Sequence, residues 1–258
     1  MKNVFRTILL NRELNKKMLA VLIDPDKCKG ALLVKTVAAL KTNTPDFVFV
    51  GGSLTCKSSE SLIEILKEET TADVVLFPGN TSQFAPNADA MLFMSLISGR
   101  NPDYLISQQV NSALTVKESG IEVIPTGYIL IEGEKQSAVE YISNTRPIPP
   151  DKKDIVLATA TAGELLGMRA IYLEAGSGAE RPIPTALVKH ISQYIEVPLI
   201  VGGGITQKEQ MIDAFAAGAD IVVVGTLFEN SPQEIPDFVA AAANYSEVSE
   251  EEFNYDQD

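Results

Sequence analysis

Three apolar runs that each end in glycine lie within residues 171–226: Ile171-Tyr-Leu-Glu-Ala-Gly-Ser-Gly178, Val197-Pro-Leu-Ile-Val-Gly-Gly-Gly204 and Asp220-Ile-Val-Val-Val-Gly-Thr226. Each run has the length and apolar content of a short buried strand, and each glycine patch indicates the turn that follows it. The residues between the last two runs, Thr206 to Gly218, fit one helix. Because a strand–helix–strand order requires a crossover, this stretch predicts parallel strands whose glycine turns meet at one end of a sheet.

The three glycine turns together predict a phosphate site. Glycine allows a backbone to approach a ligand closely, and free N–H groups at strand ends bind anions. In an eight-stranded barrel, the loops after the last two strands commonly hold phosphate. Tight turns alone would explain a single Gly-Gly-Gly, but three patches after consecutive strands favour a ligand. We therefore expect Gly203, Gly204 and Gly225 to form a phosphate cup.

The rest of the chain repeats the alternation of strand and helix. Only about ten residues, 80–89, separate the third apolar run from the fourth, and they include Pro86. That connection is too short for a crossover helix, so an open groove is expected on the barrel flank. The pattern predicts an α/β protein: a (β/α)₈ TIM barrel whose third helix is missing or replaced by an extended segment. The main alternative is an open doubly wound sheet, which the absence of Gly-x-Gly-x-x-Gly in the first crossover weakens. The earlier runs are Met18–Asp24, Asp46–Gly52, Asp73–Gly79, Ala90–Ser98 and Val123–Ile131.

Length and charge limit the class of protein. The 258 residues fit one barrel domain over 1–245, followed by an acidic tail over 246–258 that we expect to be frayed. The formal net charge of −13 argues against a nucleic-acid partner.

Met1 to Lys17 is too polar for a signal peptide, and no apolar run has membrane-spanning length. Cys28 and Cys56 are expected to be reduced thiols in a cytoplasmic protein, with at most peripheral membrane contact.

A carboxylate and a hydroxyl follow the first two strands. Asp24 ends the first strand, and Ser53 follows Gly51-Gly52 at the end of the second. Asp24-Pro-Asp-Lys27 is also a typical turn sequence, which by itself would explain Asp24. The neighbouring hydroxyl adds weight to a metal site, because a sparse oxygen set suits Mg²⁺ that takes its remaining ligands from substrate phosphates. Lys27 is placed equally well to meet a phosphate or to remain solvated.

Glu174 ends the sixth strand and is the strongest candidate for chemistry. A glutamate inside a barrel core is unfavourable unless it is paired, whereas at a strand end it can bind a polyol or accept a proton. The adjacent Ala175-Gly-Ser-Gly178 favours the functional interpretation. Tyr128, on the fifth strand, is expected to reach the same space, although a structural tyrosine is an equally good explanation.

These motifs resemble those of the geranylgeranylglyceryl phosphate synthases and the related bacterial heptaprenylglyceryl phosphate synthases. The resemblance covers nearly the whole chain and implies a modified barrel without its third helix. It implies a prenyltransferase that joins the C3 hydroxyl of sn-glycerol 1-phosphate to C1 of a polyprenyl diphosphate, with geranylgeranyl diphosphate favoured. The matching motifs are Asp24-Pro-Asp-Lys27, Gly51-Gly-Ser53, Tyr172-Leu-Glu-Ala-Gly-Ser-Gly178, Val201-Gly-Gly-Gly-Ile205 and Val224-Gly-Thr226.

The resemblance also assigns roles to residues. It implies that Asp24 and Ser53 bind Mg²⁺ and that Glu174 binds the glycerol hydroxyls and takes the proton as the ether forms. The prenyl chain would lie in the groove left by the absent helix. The residues that the resemblance implies in binding substrate are Tyr172, Leu173, Glu174, Ala175, Gly176, Ser177, Gly178, Gly203, Gly204, Gly225 and Thr226. The position of Tyr128 at a strand end adds it as a second catalytic candidate, and the position of Lys27 in the first loop adds it as a candidate for binding the phosphate.

This chain departs from the resemblance in two places. Some bacterial relatives have a lysine two residues before the metal aspartate, where this chain has Leu22, so phosphate binding depends more on the glycine cup or on Lys27. Extra residues at the start and within 132–151 resemble the longer group of the family, which implies a homo-oligomer, a dimer or hexamer.

The alternatives to a prenyltransferase are a metal-independent sugar-phosphate isomerase or lyase, and a non-catalytic phosphate-ligand sensor.

Overall fold

The computed structural model describes residues 3–55 and 58–255, with side chains described as far as Ser246. Its strands pair in parallel and in sequence order, and the first also pairs with the last, so the sheet closes into a barrel. This confirms the predicted TIM barrel and excludes the open doubly wound sheet. The strands are β1 (Met18–Ile23), β2 (Phe47–Gly52), β3 (Asp73–Pro78), β4 (Ala90–Leu96), β5 (Glu122–Leu130), β6 (Ala170–Glu174), β7 (Leu199–Gly202) and β8 (Ile221–Val224).

Helices surround the barrel, and none of those described is long and apolar enough to cross a bilayer. A π-helical turn, Asp103–Ser107, leads into the helix after β4, and a 3₁₀ turn, Pro232–Glu234, precedes the last helix. The α-helices are α1 (Val4–Glu13), α2 (Ala31–Thr42), α3 (Glu60–Glu69), α4 (Gln108–Ser119), α5 (Ala138–Ser143), α6 (Lys153–Leu165), α7 (Thr185–Ser192), α8 (Lys208–Ala216), α9 (Thr226–Asn230) and α10 (Ile235–Tyr255).

The connection from β3 to β4 contains one 3₁₀ turn, Thr81–Gln83, and no α-helix, as the short spacing predicts. The buried side chain of Gln83 stabilises this short path. Its amide donates to the Gly52 carbonyl at 3.0 Å and its carbonyl accepts from the Gly79 N–H at 2.9 Å. Because no helix follows β3 on this flank, Phe93 on the outer face of β4 remains half-buried. An apolar groove therefore opens on this flank of the barrel.

The amino-terminal end of the barrel is closed by α1. Val4, Phe5 and Ile8 are buried against the interior residues of the strands. Glu122, at the start of β5, accepts the N–H groups of Val4 at 2.6 Å and Phe5 at 3.1 Å, which satisfies donors that a helix start would leave unpaired. Because this end is closed, a ligand must enter from the carboxyl ends of the strands.

Stacked aromatic rings fill the upper part of the barrel interior. The ring centroid of Tyr172 lies 5.3 Å from the centroid of Phe77 and 5.3 Å from that of Tyr128. The centroids of Phe77 and Phe49 are 6.1 Å apart. Such offset pairs pack favourably beyond the area they bury. This layer is a rigid floor beneath the carboxyl ends of the strands.

The carboxyl-terminal helix α10 runs from Ile235 to Tyr255 and so includes part of the acidic stretch that the sequence predicts to be frayed. Phe238 and Ala242 are buried on its inner face, and the Ser246 hydroxyl accepts the Lys17 N–H at 3.0 Å, which holds the helix against the barrel as far as Ser246. The division of the chain after residue 245 stays a prediction. Residues 256–258 lie outside the described part of the chain.

Cys28 is a buried free thiol, and Cys56 also lies outside the described residues.

Candidate active site

A cavity of about 460 Å³ opens at the carboxyl ends of the strands, above the aromatic floor. Residues that follow β1 and β2 lie on one side of this cavity, and residues that follow β6, β7 and β8 lie on the other. The turns after β7 and β8 are open to the cavity rather than filled by bulky side chains. The predicted site residues that line it are Asp24, Lys27, Ser53, Tyr128, Tyr172, Glu174, Ser177, Gly178, Gly203, Gly204, Gly225 and Thr226.

Three residues of the predicted set do not line the cavity. Leu173 alternates with Tyr172 and Glu174 along β6, so its side chain faces outward and packs in the core between strands and helices. Ala175 is buried in the same outer core. Gly176 has no side chain, but its N–H donates to Glu174 Oε1 at 2.7 Å. The side chains of Leu173 and Ala175 thus support the strand, and the prediction that these two residues bind substrate concerns only their backbones.

Glu174 is a buried carboxyl group at the inner wall of the cavity, only 6% exposed. Burial raises its pKa from 4.5 to about 7, and this effect outweighs the opposing hydrogen bond from Gly176 and the influence of the Tyr172 hydroxyl. A side chain at Gly203 would overlap this carboxylate, so glycine at that position leaves the space that Glu174 occupies. A carboxyl group with this pKa can exchange a proton near neutral pH.

Tyr172 and Tyr128 flank Glu174 from below. Burial, followed by the charge of Glu174, raises the pKa of both phenols well above the usual value, so both remain protonated donors. The Tyr172 hydroxyl is close enough to influence the Glu174 charge, yet it is buried without a well-formed hydrogen bond to any described residue. An unpaired buried hydroxyl is unfavourable, so this group points to a ligand that completes its hydrogen bonding.

Asp24 and Ser53 lie on neighbouring strand ends and face the same cavity. Asp24 Oδ1 accepts the Asp26 N–H at 2.8 Å. Its other oxygen, Oδ2, faces Gly52, where even a methyl group would approach it to 3.3 Å. No cluster of three or more His, Cys, Asp or Glu side chains among the described residues could hold a metal. The oxygen donors present fit Mg²⁺, because this ion retains waters and substrate oxygens beside one or two protein ligands.

Lys27 and Glu229 form an ion pair at the rim beside Asp24. Lys27 Nζ lies 2.9 and 3.1 Å from the two carboxylate oxygens of Glu229, and 3.6 Å from Asp24 Oδ2. Lys27 is thus neither free in solvent nor buried: its side chain is 51% exposed. The sequence gives no signal for Glu229, because it lies on α9 rather than at a strand end.

The remaining wall of the cavity is apolar and follows the groove left by the missing helix. Met91 and Phe93 of β4 form its base, and Val139 and Ile142 of α5 face it from the connection after β5. Tyr104, on the π-helical turn, is a further wall residue. The missing helix predicts a groove, but only packing reveals which side chains line it.

The chain matches the model of the PcrB family over residues 12–243. It is 48% identical over 228 residues to geranylgeranylglyceryl phosphate synthase of Flavobacterium johnsoniae, which covers 88% of this chain and 94% of the relative. It is 41% identical over 220 residues to the protein of that name from Korarchaeum cryptofilum, covering 84% and 90% respectively. The solved (S)-3-O-geranylgeranylglyceryl phosphate synthase of Thermoplasma acidophilum, in complex with its substrate sn-glycerol-1-phosphate, superposes with a TM-score of 0.86 at 30% identity. That match covers 95% of this chain and 98% of the other.

Proposed function

The chain belongs to the PcrB family, and from this premise we propose that it is a geranylgeranylglyceryl phosphate synthase. The reaction is transfer of a polyprenyl group, with geranylgeranyl favoured, from its diphosphate to the C3 hydroxyl of sn-glycerol 1-phosphate. One observation carries the proposal: a single cavity joins a glycine-lined polar pocket around buried Glu174 to an apolar groove, with Asp24 and Ser53 between them.

We place sn-glycerol 1-phosphate at the carboxyl ends of β6 to β8. The turns at Gly203, Gly204 and Gly225 line the cavity and carry no side chains that would fill it, and their backbone N–H groups would be the donors to the phosphate. The glycerol hydroxyls would then lie near Glu174 and the unpaired Tyr172 hydroxyl. Both interactions satisfy buried polar groups that the protein alone leaves incomplete, which supports this placement.

The prenyl diphosphate would occupy the other half of the cavity. Its chain fits the groove between β4 and α5, where Met91, Phe93 and Ile142 offer apolar surface. Its diphosphate would lie near Asp24, Ser53 and Lys27. The prenyl C1 and the glycerol O3 are then held side by side in one space, which converts an encounter in solution into a reaction between fixed neighbours.

In the proposed reaction, the bond between C1 and the diphosphate oxygen breaks and a bond from C1 to the glycerol O3 forms. The O3 proton passes to the Glu174 carboxylate, for which the raised pKa is well suited. The Gly176 N–H holds one oxygen of this carboxyl group, and Tyr128 and Tyr172 line the cavity beneath it. With both substrates bound, the prenyl chain and the glycerol phosphate would fill the cavity and displace water from the allylic carbon.

We propose Mg²⁺ as the cofactor, held by Asp24 and Ser53. When bound, the ion supplies electrostatic stabilisation to the negative charge that accumulates on the leaving diphosphate. Lys27 contributes a further positive charge at the same rim.

The decisive experiment is incubation of the purified chain with sn-glycerol 1-phosphate, Mg²⁺ and a series of prenyl diphosphates from ten to thirty-five carbons. We expect an ether product, identified by mass, with the greatest yield from the twenty-carbon donor and none after chelation. No product with any donor would contradict the proposal. Turnover of a sugar phosphate that survives chelation would favour the isomerase or lyase alternative.

Substitution of Gly203 by alanine should weaken glycerol phosphate binding by about 100-fold. The backbone φ of +84° disfavours a side chain, and the added methyl would overlap Glu174 and lie 2.9 Å from the Ala175 and Gly176 nitrogens. Calorimetric titration with sn-glycerol 1-phosphate measures the loss. Gly120→Ala is the matched control, because φ is +71° there and the space is open. Equal affinity in both variants would show that the phosphate cup is elsewhere.

A homo-oligomer and a cytoplasmic location, with at most peripheral membrane contact, stay predictions. An exposed apolar stripe on and just before α4 supports the first, because Ile106, Val110 and Leu114 are spaced by four residues and are 58%, 65% and 75% exposed. Light scattering of the purified protein measures the number of copies.

A further inference from the structure

Lys27 lies between two carboxylates that come from opposite edges of the cavity. Asp24 follows β1, and Glu229 lies on α9 after β8. The contacts are unequal: both oxygens of Glu229 accept hydrogen bonds from the ammonium at 2.9 and 3.1 Å, whereas Asp24 Oδ2 is 3.6 Å away. The ammonium is therefore drawn toward Glu229 and away from Asp24.

The backbone fixes the two ends of this arrangement. The Lys27 N–H donates to the Asp24 carbonyl at 3.1 Å, which keeps the root of the lysine side chain next to Asp24. On the other side, Phe228 anchors α9 through an edge-on contact with Phe238, with ring centroids 5.2 Å apart. The carboxylates of Asp24 and Glu229 are only 16% and 18% exposed, so solvent screens them weakly. The direction in which the lysine points is thus set by competition between two carboxylates.

The charges show why this direction matters. Asp24, Lys27 and Glu229 together carry a net charge of −1, and one divalent cation would change it to +1, the sign that a diphosphate requires. A lysine paired directly with Asp24 would instead occupy the oxygen that the cation needs. The ammonium and the cation are therefore competitors for Asp24 unless another group holds the ammonium.

We propose that Glu229 is a positioning residue that holds Lys27 away from Asp24, so that Asp24 remains available to a divalent cation while the ammonium stays at the rim as a charge for the diphosphate. The inference rests on the proposed function, because it takes Asp24 as the metal ligand. Glu229 acts through Lys27 and does not itself contact the metal.

The test is a Mn²⁺ titration, followed by electron paramagnetic resonance of the free ion, on the full-length protein without substrate. Mn²⁺ accepts the same oxygen ligands as Mg²⁺ and is measured directly. The proteins are the wild type, Glu229→Gln, Lys27→Gln and the double variant, each checked for its thermal midpoint. We expect Glu229→Gln to weaken Mn²⁺ binding about tenfold, because Lys27 then pairs with Asp24. In the Lys27→Gln background, the same change should alter the affinity less than twofold.

Equal weakening by Glu229→Gln in both backgrounds would overturn the inference, since Glu229 would then act as a ligand or through its charge alone. No weakening in either background would overturn it as well. Asp24→Asn separates this inference from the proposed function. If Asp24→Asn removes Mn²⁺ binding and the Glu229 variants behave alike, only the role of Glu229 fails. If Asp24→Asn leaves Mn²⁺ binding intact, the metal site is misplaced, and both the assignment of the metal to Asp24 and the role of Glu229 fail; ether formation is tested separately by the donor series.

Discussion

Asp24→Asn should lower kcat/KM for ether formation by about 1,000-fold, one of the two largest effects that we expect from a single change at constant shape. The amide keeps the size of the side chain and an acceptor for the Asp26 N–H, but it removes the only charged oxygen that we assign to the metal. Metal stabilisation of a leaving group is worth several kcal/mol, and each 1.36 kcal/mol corresponds to a factor of ten in rate. Steady-state kinetics with geranylgeranyl diphosphate over a range of Mg²⁺ concentrations measure the loss.

Asp26→Asn is the matched control for this variant. Asp26 belongs to the same turn, but its carboxylate pairs with Lys29 at 3.4 Å and does not line the cavity. The change removes the same charge two residues away and should alter kcat/KM by less than about threefold, as expected of a partly exposed ion pair. A comparable loss in both variants would mean that the turn as a whole, rather than an Asp24–metal bond, is needed.

Glu174→Gln should abolish most of the activity and at the same time stabilise the folded protein. Removal of a general base commonly lowers kcat by 10²- to 10⁴-fold, and we expect about 10³-fold here. Glutamine retains an oxygen for the Gly176 N–H, so the turn after β6 should survive. In the wild type, kcat should decline as the pH falls below about 7, because the carboxyl group is then protonated.

The stability effect has a definite sign. Burial raises the pKa of Glu174 from 4.5 to about 7, so below pH 4.5 both folded and unfolded states hold the proton and Glu174 contributes no pH dependence. Between pH 4.5 and 7 the unfolded chain releases the proton first, and the folded state loses stability as the pH rises. Above pH 7 the destabilisation is complete, at about 3 kcal/mol, because one pKa unit corresponds to about 1.36 kcal/mol. Glu174→Gln removes this dependence of folding stability on pH.

Thermal and denaturant unfolding at pH 5 and pH 8 test this sign. The stability gain of Glu174→Gln over the wild type should be markedly larger at pH 8 than at pH 5. Glu180→Gln, which changes a carboxylate that pairs with Lys135 on the surface, should leave both activity and the pH dependence of stability unchanged. Retained activity in Glu174→Gln would exclude Glu174 as the base. Lower stability of Glu174→Gln than of the wild type at pH 8 would show that the charge of Glu174 is compensated within the fold.

The stabilising change and the inactivating change are thus expected to be the same substitution. A buried carboxylate lowers stability unless its partners fully compensate its charge, and the Gly176 N–H compensates Glu174 only in part. Functional sites commonly retain such unfavourable groups because the reaction needs them. The expected trade between activity and stability is therefore a direct signature of the proposed role of Glu174.

Much of the fold could be predicted from the sequence because the signals are local. Apolar runs such as Ile221–Val224 are strands by composition and length, and their bounds agree with the structure. The ten residues between β3 and β4 are too few for a crossover helix, so the groove followed from a count. Asp24, Ser53 and Glu174 could be assigned to one cavity because parallel strands place their carboxyl ends at one edge.

Local signals were less reliable at the end of the chain and along β6. The acidic composition after residue 246 indicates a frayed tail, whereas α10 is helical as far as Tyr255. Leu173 belongs to the predicted substrate site because it lies within the motif, but the alternation of strand side chains turns its side chain outward. Along β6, the position in the strand rather than the motif decides which side chains reach the cavity.

The barrel, the missing helix and the strand ends that carry the candidate site follow from the order of residues, because each depends on spacing along the chain and on the common direction of parallel strands. The ion pair of Glu229 with Lys27, the unpaired Tyr172 hydroxyl and the side chains that line the groove are known only from the folded molecule. These contacts join residues that are as much as 202 positions apart. They depend on how helices and loops fold back over the strand ends, a geometry that no local pattern encodes.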